Sequence, residues 1–442
     1  MSVKLVCSRV DEQGYGIVYY NDQSYKVSNL LEGEEAEVEL FSQSGKVVSL
    51  IKKSPDRVKP VCGVYHLCGG CQLQHIRYEH QLDLKHDYVK NCFKEVNLDV
   101  PVLKPIGMND PYHYRNKLQI VFSEKKKKIV AGFYEENTHK VVNAEDCDIQ
   151  DQVGNEIIKT FKQLMAKHKI KPYLEAKDEG LIKHVLVKRS QVTKEVLVVI
   201  VTRDLVFPGR NNILKDLRQK HPEITSVVQN INPRRTSVVL GNEEKVIFGK
   251  GYIEDVLLGH RFQIGSKTFY QVNPKQTEVL YQKAIELLNL SKNDVVLDAY
   301  AGVGTIGISL AKQAKEVLCV EINPDSVKNA KKNAHINQIN NIDFVCEDAS
   351  KYITYMVNQK VKLDAIVVDP PRSGLEKAFV DALNQIKVKK LVYISCDPKT
   401  LSRDLKQLSY KYDIHPVQPV DMFSQTYHIE NVVLLTAKKQ VQ

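Results

Sequence analysis

The chain has 442 residues, 43% of them apolar and 26% charged, with a formal net charge of +10. That length exceeds what one core usually holds, so two or three globular domains are expected. No apolar run approaches the length of a membrane-spanning helix, and the opening "MSVKLVCSRVDEQ" lacks the apolar stretch of a signal peptide, so the cytoplasm is the expected compartment. Thiols there are normally reduced, and clustered cysteines read as metal ligands or catalysts before disulfides.

The charge is uneven. Residues 1–53 carry six basic and eight acidic side chains, whereas 54–260 and 261–442 carry net charges of +7 and +5. A basic excess over the later segments suits a polyanionic partner.

Residues 1–54 read as five short strands, "KLVCSRV", "GYGIVYY", "QSYKVSNL", "EEAEVELF" and "KVVSLIKK", punctuated by glycines. Five such strands predict a small closed barrel of the oligonucleotide-binding kind. "SPDRVKP" follows as a linker.

Residues 55–260 open with "VCGVYHLCGGCQLQH", which places Cys62, Cys68 and Cys71 around a glycine turn. Helical spacing of Leu82, Val89 and Phe93 follows, and then strands such as "KLQIVFS" and "EVLVVIVTR" mixed with two further helical stretches. The pattern predicts an α+β domain. "KKKK" at 125–128, between two strands, reads as a solvated hairpin tip or as a phosphate contact.

Residues 261–442 change character. Near-continuous apolar strands ("DVVLDAY", "EVLCVEI", "IDFVCED", "LDAIVVDP", "KLVYISCD") alternate with helices. This predicts an α/β, doubly wound, Rossmann-like sheet. Gly302, Gly304 and Gly307 lie between the first strand and its helix, where glycines let backbone approach a ligand. Glu321, seventeen residues past Gly304, ends the next strand and can hold both hydroxyls of a ribose. Dinucleotides and S-adenosylmethionine are the candidates. Asp298 and Tyr300 favour the latter, and Asp348, ending the third strand, sits where an adenine amino group would be met. Both Glu321 and Asp348 could instead simply cap helices.

"VVDPPRSG" ends the fourth strand, with Arg372 where an aromatic residue would suggest methylation of an exocyclic amine. Cys396, in "LVYISCDPKT", follows the fifth strand at the ligand-binding edge and reads as a nucleophile rather than a packing thiol. Carbon 5 of uracil is a poor nucleophile. Thiolate addition at carbon 6 makes an enolate whose carbon 5 can take a methyl group, after which a base removes the carbon 5 proton. His428 or Glu430, just before the last strand, could be that base.

In this order, "FYQVNP", "DAYAGVGTIG", "VEIN", "DPPRSG", "SCDPKT" and "HIEN" resemble the bacterial RNA uridine carbon-5 methyltransferases, specifically their iron–sulfur ribosomal RNA branch. The resemblance covers essentially the whole chain. It implies that Gln271, Tyr300, Glu321 and Asp369 bind S-adenosylmethionine; Asp348 and Gly302, by their positions, are expected to join them. It implies Cys396 as nucleophile and Glu430, rather than His428, as base. It also implies a 4Fe-4S cluster on Cys62, Cys68, Cys71 and a distant fourth ligand, which Cys147 fits; spacing alone leaves zinc open. Cys7, Cys92, Cys319 and Cys346 are expected to pack. The barrel resembles a TRAM module, with Tyr15 or Tyr19 as RNA contacts, and "YHYRNK" offers Arg115 and Asn116 as RNA or active-site contacts. Large-subunit ribosomal RNA is the implied substrate and transfer RNA the alternative; no obligate protein partner is inferred. A non-catalytic RNA-binding factor would need neither Cys396 nor Glu430. A radical enzyme would favour an open cluster over four cysteines.

Overall fold

The structure, a computed structural model, describes residues 2–386 and 388–439. Its strands form three large sheets and one hairpin. Among the described residues no helix is long and apolar enough to cross a membrane.

The first sheet holds Ser2–Val6, Arg9–Val10, Gly16–Tyr20, Gln23–Val27, Glu35–Phe41 and Ser44–Lys52. The single first strand expected from the sequence is broken at Cys7 and Ser8. Its first half pairs with Glu35–Phe41 and its second with Gly16–Tyr20, so one bent strand joins the two edges of the sheet. Leu5, Val18, Val27, Leu30, Ala36 and Val38 fill the interior. The supposed linker is pinned rather than free. Arg57 forms a two-pronged pair with the fully buried Glu34, at 2.5 and 2.6 Å. Paired, hydrogen-bonded charges of this kind tolerate burial.

The second sheet has seven strands in the order Glu243–Phe248, Ile224–Ile231, Val196–Thr202, Ile182–Arg189, Lys117–Lys125, Lys128–Tyr134 and Val141–Asn143. Helices Gln152–Lys167 and Arg210–Lys220 cover it with Ile157, Phe161, Leu164, Ile213 and Leu217.

The third sheet runs Ile342–Cys346, Glu316–Glu321, Val295–Ala299, Ala365–Val368, Lys390–Ser395, Glu430–Ala437 and Tyr412–Ile414, with Gln418–Val420 also on Glu430–Ala437. The first five are parallel and Glu430–Ala437 is antiparallel to its neighbours. The order reverses between Val295–Ala299 and Ala365–Val368, and ligands bind in the crevice beyond the strand ends at such a switch point.

Two stretches of residues 55–265 pack against the third sheet rather than the second. Helix Tyr78–Glu95 lies on helix Pro398–Leu408, and its Val89 and Phe93 share a core with Leu401 and Leu405. The hairpin Tyr252–Leu257 and His260–Gly265 buries Ile253, Leu257, Phe262 and Ile264 in the same core as Ile306 and Val317. An apolar stripe shows that a segment packs, not which core it covers.

Candidate active site and cysteine-lined cavity

The first parallel strand ends in a loop whose backbone is left-handed at Tyr300 (φ 69°), Gly302 (φ 57°) and Gly304 (φ 82°). A side chain on Gly302 would meet nothing within 4 Å, so the loop faces open space. Gly307 is the opposite case: a Cβ there would stand 2.4 Å from Cys319 Sγ and 3.0 Å from Asp298 Oδ2, so the glycine lets helix and strand touch. Glu321 turns toward this loop. Its Oε2 accepts from the Gly302 amide at 3.0 Å and its Oε1 from the Asn323 amide at 2.8 Å. Asp298 is fully buried and accepts from the Gly307 amide at 2.8 Å; burial pushes its carboxyl up to about 8. Asp348 caps helix Ala349–Asn358, accepting from the Lys351 amide at 3.0 Å.

Gln271 precedes helix Pro274–Leu288. On that helix the buried Tyr281 hydroxyl lies beside Gln271, Thr305 and Asp369, and burial raises it far above the ordinary phenol range. Sequence reasoning missed Tyr281, because a tyrosine on an amphipathic helix carries no local signal of a site.

Cys396 is half-buried in the turn after Lys390–Ser395. Burial, reinforced by the Glu430 and Asp369 carboxyls, pushes its thiol up to about 12, while Arg372 pulls it down. Glu430, only 4% exposed, opens Glu430–Ala437. Its carboxyl rises to about 8 through burial and then Asp369, again opposed by Arg372. Burial also lifts Asp369 to about 7. One thiol, two carboxyls and one guanidinium thus share a poorly solvated corner at the sheet's carboxyl edge. Its groups titrate as a set.

His428 stands differently. Arg372 Nη2 donates to its Nε2 at 3.3 Å, and burial with that neighbouring cation lowers the imidazole to about 4. Asp397 is committed to capping, accepting from the Lys399 and Thr400 amides at 3.0 Å each. It opens helix Pro398–Leu408, whose N-terminus beside Cys396 favours a thiolate there.

Cys62, Cys68, Cys71 and Cys147 line one cavity of about 60 Å³, along with Phe133 and Arg115. Among the described residues no three His, Cys, Asp or Glu groups converge as ligands of a single ion. Cys7, Cys92 and Cys319 are buried as expected, but Cys346 is exposed, because its strand lies at the edge of the sheet.

The cavity and the crevice share a wall. The His113 and Arg115 amides donate to Asp148 and Ile149, beside Cys147, and the Asn116 amide donates to Val272, beside Gln271. Arg115 Nε is buried without a partner, and its guanidinium lies 5.8 Å from the Phe423 ring. The Gln72 and Leu73 amides both donate to the Gln425 carbonyl at 3.0 Å. Tyr15 donates its hydroxyl to Glu136, and Tyr19 is 58% exposed.

The tRNA (uracil-5-)-methyltransferase family matches residues 77–438. The chain belongs to that family. It is a methyltransferase that uses S-adenosylmethionine and has the α/β fold expected from its sequence. An uncharacterized RNA methyltransferase of Oceanobacillus iheyensis is 42% identical over 96% of this chain and 94% of its own. One of Staphylococcus aureus is 38% identical over 96% of each. Among solved structures, the Pyrococcus abyssi tRNA (uracil-54, C5)-methyltransferase in complex with S-adenosyl-L-homocysteine superposes with a TM-score of 0.79 at 27% identity. The match covers 98% of this chain and 99% of that one. The methyltransferase described here therefore shares its whole architecture, first sheet included, with an enzyme of the same family.

Proposed function

We propose that this methyltransferase modifies carbon 5 of a uracil in RNA through a covalent adduct on Cys396, with Glu430 as base. The observation that carries the reading is the corner where Cys396, Glu430, Asp369 and Arg372 meet beside the glycine loop. Glu321 is suited to the ribose hydroxyls of S-adenosylmethionine; Gln271, Tyr300, Asp348, Asp369 and the backbone at Gly302 would hold the rest. That cosubstrate supplies an electrophilic methyl group. Cys396 gives its proton to solvent, the positive charge of Arg372 favouring the thiolate, and its sulfur bonds to carbon 6 of the uracil. The displaced electron pair moves onto the ring as an enolate; carbon 5 then attacks the methyl carbon, the carbon–carbon bond forming as the methyl–sulfur bond breaks, and S-adenosylhomocysteine is the leaving group. Glu430 then takes the carbon 5 proton, the ring double bond re-forms, and the carbon–sulfur bond breaks to release the thiolate. A carboxyl raised to about 8 is a stronger base than an ordinary glutamate.

The cysteine-lined cavity fits a 4Fe-4S cluster. Four thiols face one small space, and a cluster spreads its cysteines one to each iron rather than onto a single point. Such a cluster would tie the 62–71 loop to the Cys147 turn and leave no iron open to chemistry. Residues 1–54 are read as a TRAM-like RNA-binding module.

Large-subunit ribosomal RNA is the substrate we infer, from the resemblance of barrel, cysteine loop and catalytic motifs taken together. A transfer RNA substrate is the second reading, favoured by the Pyrococcus enzyme's own substrate and its match across the full chain. Mapping 5-methyluridine in both RNAs from cells with and without the gene tests the reading. Loss of the modification from one class identifies the substrate, and no loss from either refutes the proposal.

A further inference from the structure

Strands Lys117–Lys125 and Lys128–Tyr134 meet in a two-residue turn, Lys126-Lys127, with both residues left-handed at φ 51° and 61°. Asparagine and glycine fill such turns because a side chain crowds the backbone there. Lysine offers neither glycine's freedom nor a short side chain that bonds its own backbone. Lys125 and Lys128 are also paired directly across the hairpin, where like charges repel. All four lysines are exposed, with only Glu124 adjoining them. The local sequence therefore opposes the local fold twice in four residues, and such conflicts mark function more often than accident.

The lysines also form the exposed tip of a hairpin whose base, at Phe122 and Ala131, is buried in the core. The neighbouring strand Ile182–Arg189 pairs only as far as Val121, and Val141–Asn143 only as far as Gly132. Beyond them the ribbon is two-stranded. At about 3.4 Å per residue, its tip stands roughly 27 Å along the strand from Lys117, which adjoins Asn116 at the wall of the crevice.

We propose that Lys125–Lys128 form a contact to the phosphate backbone of RNA, remote from the target uracil. This rests on the reading that the substrate is RNA. The four ammonium groups would position a folded RNA without reading its sequence, since phosphate contacts orient and base contacts specify.

Two variants test it: Lys126→Asn with Lys127→Gly, which suits the turn, and Lys125→Gln with Lys128→Gln, which removes the facing charges. Binding of total transfer RNA and of transcribed large-subunit ribosomal RNA is measured across a salt series. Each variant should make the slope of log affinity against log salt shallower by about 1.4–1.8, the value for two lost phosphate contacts. S-adenosylhomocysteine binding should stay unchanged, and the Asn-Gly variant should melt no lower than the wild type. If both variants keep the wild-type slope on both RNAs, the lysines are a solvated turn or serve an acidic protein, and the inference fails alone. If the wild type binds neither RNA, the reading of the active site fails and takes the hairpin with it.

Discussion

At the scale of single residues, the corner around Cys396 sets the pH response. The proposed reaction needs a thiolate at Cys396 and a carboxylate at Glu430. Both groups are raised, to about 12 and about 8, so both are protonated in the free enzyme at neutral pH. Activity should therefore climb as pH rises through about 8, where Glu430 ionises, and keep climbing above that as Cys396 ionises. Arg372 is the cation that opposes both shifts, so Arg372→Ala should move the rising limb of kcat/KM to higher pH; a profile that stays in place refutes its role. Cys396→Ala should abolish transfer while S-adenosylhomocysteine still binds. Glu430→Gln should stall after methylation and accumulate a protein–RNA adduct on a denaturing gel, and normal turnover would return the role to His428 or water. Glu321→Ala should weaken S-adenosylhomocysteine by about 1.5–3 kcal/mol, the scale of hydrogen bonds to a charged group, as read by calorimetry. The placement of Cys396 and Glu321 at strand ends was legible in the sequence, because an apolar run that stops at a polar residue marks the end of a buried strand. His428 and Glu430 are not told apart by their segment, since two such residues so close together look alike; the choice of Glu430 comes from the family resemblance, and Arg372 acts on both.

At the scale of elements, helix Tyr78–Glu95 is anchored by a buried ion pair. Lys85 Nζ lies 2.7 Å from Asp421 Oδ1, and the two side chains are 2% and 0% exposed. Tyr78 donates to the other carboxylate oxygen at 2.7 Å. Lys85→Met should cost about 3–5 kcal/mol in denaturant unfolding, because it leaves a buried carboxylate without its cation. Adding Asp421→Asn should recover part of the loss, and a single variant as stable as the wild type would refute the account. The helix itself was readable from Leu82, Val89 and Phe93. Its lysine could not be matched to an aspartate 336 residues away, since nothing local distinguishes a buried lysine from a surface one.

At the scale of the molecule, the sheets emerged from strand patterning, but their partition did not. Broken pairing at Cys7 and the helix given over to the C-terminal core depend on long-range packing. The proposed cluster would tie the loop at Cys62, Cys68 and Cys71 to the distant turn at Cys147, so Cys147→Ser should lower thermal stability and RNA affinity. Iron analysis of anaerobically purified protein should give about four irons per chain. A single zinc would replace the cluster but keep the cross-link. Dependence of single-turnover methylation on cluster redox state would refute a purely structural role.

The strand Glu430–Ala437 lies inside the sheet, between Lys390–Ser395 and Tyr412–Ile414, rather than at its rim. During synthesis it leaves the ribosome after every other element of the sheet, and until it inserts, Lys390–Ser395 is an unpaired edge. On the proposed roles, the nascent chain holds its nucleophile before it holds its base. A polypeptide stopped short of Glu430 would leave that edge open and, on the proposed mechanism, could capture a uracil without releasing it.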